Sequence, residues 1–123
     1  MVYRNVMYIC IMQQQTYLKG CLSAIVLQLL QDNKRMYGYE ITQRVREITA
    51  GELQLTEGAL YPTLHKLEAE GVLSTENSLV DGRNRKYYKL TENGHQQAQS
   101  AVSELTDFVS NLQKILNLKP SLG

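Results

Sequence analysis

Between Val80 and Lys89 the sequence VDGRNRKYYK sets Arg83, Arg85, Lys86 and Lys89 against a single acid, Asp81. It is the densest basic run in the chain. Cationic side chains gathered on a projecting segment suit phosphate oxygens, and arginines also suit a narrow, negatively charged minor groove. A second stretch, TEGALYPTLHKLEAEGVL from Thr56 to Leu73, is unusual for another reason. Leu60, Leu64 and Leu67 recur at spacings of four and three, as on one face of a helix. Gly58, Pro62, His65 and Ala69 then point outward, with Lys66 beside them and Tyr61 at the edge of the buried face. Small, uncharged groups let a helix head approach another molecule closely, and first-turn N–H groups can meet a phosphate. Proline in a helix interior costs about 3 kcal/mol but is harmless near the start. The helix is therefore expected to begin late, near Gly58 to Leu60, with Pro62 in or close to its first turn.

The other reactive side chains support little chemistry. Cys10 and Cys21 make no metal-ligand spacing with His65 or His95, and two cysteines do not form a disulfide framework. A reducing cytoplasm fits that usage. The two histidines lie thirty positions apart without convincing acid partners, and no phosphate loop or nucleophile motif occurs. No catalytic residue, metal or cofactor is expected.

The elements that must hold these residues follow from periodicity. A chain of 123 residues makes one domain. Its formal net charge of +1 argues against indiscriminate coating of nucleic acid but leaves room for a local basic patch. Residues 1–16 read as an extension ahead of the domain, with Met12 an alternative start. Their seven-residue apolar run from Val6 is far below the ~20 residues of a membrane span, and no signal-peptide cleavage site follows it. Tyr17 to Gln31 is apolar at almost every helical angle, which predicts a helix buried between two layers. A second helix is expected from about Tyr37 to Thr49, with Ile41, Val45 and Ile48 inward and Ala50-Gly51 closing it. After Gly71, which ends the leucine-patterned helix, Val72–Leu79 and Arg85–Thr91 read as strands joined through Asp81-Gly82, a strong hairpin signal. Tyr88 and Leu90 share one face of the second strand, Tyr87 and Lys89 the other.

From Glu92 a last helix is expected to reach Leu118. Ala98, Ala101, Leu105, Phe108, Leu112 and Ile115 form an a/d seam, widened by Val102, Val109 and Leu116. So small a domain offers little surface to cover that stripe, so a second copy of the chain is expected there. Leu18, Leu22 and Ile25 of the first helix complete the expected dimer interface. The fold class is thus mainly α with a small β-hairpin, a winged helix-turn-helix over 17–94 followed by a long dimerisation helix over 95–123.

Three segments make the pattern specific: YGYEI at Tyr37–Ile41, EGALYPTLHKLEAEGVL from Glu57, and DGRNRKYYKLTENG from Asp81. Together they resemble the PadR family of bacterial transcriptional regulators, over about residues 17–94. Asn84 departs from that pattern, since members often carry Pro between the two wing arginines. The resemblance implies a repressor that binds double-stranded operator DNA as a homodimer. Tyr39, Thr56, Gly58, Tyr61, Pro62, Thr63, His65, Lys66, Arg83, Arg85 and Lys86 are then the expected DNA contacts. It also suggests a small-molecule effector near the dimer interface, around Cys21, Ile25, Val102 and Phe108. Against that pocket, the chain has no Trp and one Phe to stack on a flat ligand, and a fully packed interface would use the same residues. The alternative from another class is a winged-helix protein adaptor, which would not need a basic wing.

Overall fold

The computed structural model describes the backbone of residues 2–117 and the side chains of residues 14–117. The side chain of Cys10 and the expected end of the last helix at Leu118 lie outside them. The first helix, α1, runs Val2–Asp32, starting fifteen residues before Tyr17. Nothing in Val2–Lys19 interrupts a helix: the stretch has neither Pro nor Gly. Leu18, Leu22, Val26, Leu27, Leu29 and Leu30 are buried. As the all-round apolar pattern requires, α1 packs on the last helix along one side and on the third helix and the sheet along another. Asn33 ends it, its backbone N–H and side-chain amide both donating to the Leu29 carbonyl.

A two-residue strand, β1 (Met36–Tyr37), precedes α2 (Gly38–Ile48). Sequence periodicity does not reveal it, and the expected hairpin is in fact part of a three-stranded antiparallel sheet in the order β1-β3-β2. Strand β1 exists through its partner, with Met36 opposite Tyr88 and Tyr37 opposite Tyr87. Helix α2 buries Ile41 and Val45, but Ile48, expected inward, is 61% exposed. Its end turns through Ala50 and Gly51 at positive φ.

Helix α3 spans Glu57–Ala69, with the Thr56 hydroxyl accepting the Ala59 N–H at 3.2 Å. Capping by Thr56 starts the helix one residue earlier than expected, and it places Pro62 at the sixth position, in the second turn. Pro62 thus stands close to the first turn, just beyond it. Pro62 leaves the Gly58 carbonyl without its helical donor, and both residues are exposed, so water can satisfy it. Leu60, Leu64 and Leu67 enter the core as the spacing predicts.

Strands β2 (Leu73–Val80) and β3 (Arg83–Leu90) pair from Leu73–Leu90 to Val80–Arg83. Only Asp81 and Gly82 remain as the turn, both at positive φ, which gives a two-residue hairpin matched to the strand twist. Tyr88 and Leu90 are buried, while Lys89 on the opposite face is exposed. Helix α4 (Glu92–Ile115) starts at Thr91, whose hydroxyl accepts the Gly94 N–H at 2.9 Å and donates to the Gly71 carbonyl at 2.7 Å. The order α1-β1-α2-α3-β2-β3-α4 is that of a winged helix-turn-helix carrying a long last helix.

Candidate nucleic-acid interface

The head of α3 stands free. Thr56, Gly58, Pro62, His65 and Lys66 are exposed, and an added Cβ at Gly58 would meet nothing within 4 Å. Thr63 is half-buried and donates its hydroxyl back to the Ala59 carbonyl at 3.3 Å. Tyr61 is the best-held of the group. Its ring lies over Gly38 at the start of α2, where an added Cβ would come 2.6 Å from the Tyr61 hydroxyl oxygen. Burial first, then the Glu57 carboxylate and Tyr88, raise its phenol above the ordinary value. Tyr61 is therefore a neutral donor and acceptor near pH 7, without a charge to repel phosphate. His65 stacks obliquely on it, ring centres 6.3 Å apart. Tyr39, 54% exposed, stands at the head of α2.

The wing divides its cations between two faces, because successive strand residues alternate. Arg83, Arg85 and Lys89 lie on the outer face, Lys86 on the face toward α3. There Lys86 sits 3.7 Å from Glu68, whose carboxylate also accepts the Thr75 hydroxyl, so α3 and the wing are tied together. On the outer face Arg35 pairs with Glu76 at 2.8 Å, and Lys89 reaches the same carboxylate at 3.6 Å. Arg35 above all, with Lys89, holds Glu76 below the usual carboxylate range. Among the described residues Arg83 and Arg85 have no carboxylate within 4.0 Å, which leaves their charge available.

Two residues escaped sequence reasoning, Arg35 and Tyr37. Arg35 lies 4.0 Å from the centre of the Tyr87 ring and Arg85 4.2 Å from that of Tyr37, while the two rings meet edge to face at 5.6 Å. Only the pairing of β1 with β3 brings them together, and no local signal marks a strand two residues long.

The other large surface feature is apolar. Two adjoining hollows of about 420 and 330 Å³ share Ile25, Leu53 and Leu105 and form a trough between α1, α4 and the end of α2. Cys21, Ile25 and Val102 line it, as does Ile48, whereas Phe108 does not. Leu18, Leu22 and Ala98 of the expected dimer set are already buried within one copy. Ala101, Val102 and Leu105 are half-buried, and the outer seam is open: Phe108 is 58% exposed and Ile115 74%, with Val109 and Leu112 also exposed. Among the described residues no group of His, Cys, Asp and Glu could hold a metal, and no helix is long and apolar enough to cross a membrane.

Comparison with known proteins gives the family and the fold. Residues 26–100 match the Transcriptional regulator PadR-like family. Transcriptional regulator Rv3488 of Mycobacterium tuberculosis is 41% identical over 69 residues, 56% of this chain and 61% of that protein. A PadR family transcriptional regulator from Eggerthella lenta superposes with a TM-score of 0.73 over 97% of this chain and 99% of its own, at 22% identity, a likeness of fold. Bacillus subtilis PadR, solved in complex with operator DNA, is 28% identical with a TM-score of 0.58, covering 64% of this chain and 45% of that one.

Proposed function

The chain belongs to the PadR-like family of transcriptional regulators, not of enzymes, and from that premise we propose that it represses transcription as a homodimer on operator DNA in the cytoplasm. Residues 17–94 are the DNA-binding unit and residues 95–123 the dimerisation arm. Helix α3 enters the major groove head first, bringing Thr56, Gly58, Tyr61, Pro62, Thr63, His65 and Lys66 to base edges and phosphates. Tyr39 meets the flanking backbone. The wing lies on the adjacent backbone or minor groove through Arg83 and Arg85, with Lys86 the lesser contributor because Glu68 already engages it.

The observation that carries this reading is an exposed α3 head beside two arginines that have no acidic partner among the described residues. The operator complex of the Bacillus subtilis relative supports it. The open seam of α4 supports the dimer, since each Leu or Phe fully withdrawn from water contributes about 1.5–3 kcal/mol. A second copy that lays Phe108, Leu112 and Ile115 along the trough would cover part of it. Any effector would then be confined to what remains near Cys21, Ile25 and Val102.

A gel shift on the DNA upstream of the chain's own gene tests the reading. The wild type is expected to retard that DNA ahead of a mixed-sequence duplex. The triple variant Arg83→Ala, Arg85→Ala, Lys86→Ala should weaken binding to both, and flatten the log–log salt dependence by roughly one unit per lost contact. Gly58→Gln should instead remove the preference between the two. Unchanged affinity and slope in the triple variant would take the wing out of the interface.

A further inference from the structure

On the outer face of the sheet two pairs set an arginine over a tyrosine ring, at like distance and with opposite fate. In one, Arg35 lies 4.0 Å from the centre of the Tyr87 ring and its Nη1 is spent on Glu76 at 2.8 Å. In the other, Arg85 lies 4.2 Å from the centre of the Tyr37 ring and has no carboxylate within 4.0 Å among the described residues. A guanidinium stacked by its face keeps its N–H donors at the edge, in the plane where phosphate oxygens are bound two at a time. The ring beneath Arg85 comes from a neighbouring strand. Tyr37 belongs to β1, pairs with Tyr87, and is braced edge to face against it at 5.6 Å. Its own backbone N–H is held by the Glu40 carboxylate at the head of α2.

We propose that Tyr37 is a positioning residue for the wing: its ring holds the Arg85 guanidinium with the donor edge free, so that Arg85 meets a DNA phosphate already oriented. This rests on the reading of the wing as a DNA contact. An unstacked arginine on a hairpin loses rotamer freedom when it binds, and the stack removes part of that cost beforehand. Tyr37 itself need touch no DNA.

The test is binding to a mixed-sequence duplex across a salt series, with folding followed by circular dichroism. Arg85→Ala should weaken binding about tenfold and flatten the salt slope by about one unit per bound copy. Tyr37→Leu should weaken it about threefold while Tyr37→Phe, which keeps the ring, matches the wild type. On the Arg85→Ala background Tyr37→Leu should cost nothing further. A full additional loss on that background, or wild-type affinity in Tyr37→Leu, would overturn the proposal. Should Tyr37→Leu fail to fold, Tyr37→Met decides, because it removes the aromatic face with a flexible apolar side chain and leaves the Arg85 guanidinium in place. Binding several-fold weaker than wild type supports the proposal, and wild-type affinity overturns it. Failure of the functional reading looks different: the wild type would bind no duplex, or Arg85→Ala would leave affinity and slope unchanged, and the positioning role would fall with it.

Discussion

Gly38 shows how much of the interface rests on single side chains. It is the first residue of α2, and its missing side chain is what lets the Tyr61 ring lie across the helix head. A methyl group there would stand 2.8 Å from the Tyr61 ring carbon that bears the hydroxyl, too close to remain. The ring is exposed enough to swing away, so the fold survives. Gly38→Ala is therefore expected to change stability by no more than about 1 kcal/mol, alanine being the better helix former. Discrimination between operator and mixed-sequence DNA should nevertheless fall about tenfold, since a displaced Tyr61 loses base-edge contacts worth about 1–3 kcal/mol. Thermal unfolding together with competition binding measures both quantities. Full discrimination in a folded Gly38→Ala protein would mean that the contact between Tyr61 and Gly38 does not set the reading head.

At the scale of elements, Thr91 is the joint between the wing and α4. Its hydroxyl bonds to Gly71 at the end of α3 and caps α4 at Gly94, while its N–H donates to Val72 at 3.1 Å. A methyl on Gly94 would fall onto the Val72 carbonyl oxygen, which is backbone and has nowhere to go. Gly94→Ala should destabilise the protein by about 2 kcal/mol, within the range for overpacking a tight contact, and chemical unfolding with an unchanged midpoint would refute that. The last helix is expected from Glu92, where α4 begins, and the leucine spacing of α3 and the shared face of Tyr88 and Leu90 mark their buried sides. Those signals are local: each repeats within one element. What escaped is non-local. Strand β1 is made by its partner β3, the stacks of Arg35 and Arg85 depend on that pairing, and the Lys86–Glu68 pair joins a strand to a helix. Ile48 reads as core by spacing, yet α2 ends beside a trough rather than a packed layer, and its side chain is left in the open. Pro62, expected in or close to the first turn, stands just beyond it, where the Gly58 carbonyl that it leaves without a donor is exposed.

For the whole molecule, the trough and the open seam of α4 belong to one surface, and its expected occupant is a second copy of the chain. Two α3 heads related by a dimer axis would read two half-sites about one helical turn apart. Leu112→Asp places a charge in the seam and should yield a monomer with little affinity for DNA. Hydroxyl-radical footprinting of the upstream DNA, with the wild type and Leu112→Asp side by side, tests the central claim most directly. The wild type is expected to protect two symmetric half-sites about 10 base pairs apart, centre to centre, and Leu112→Asp neither at the same concentration. Protection of a single half-site by wild type and variant alike, or no protection by the wild type at all, would contradict a dimeric DNA-binding regulator.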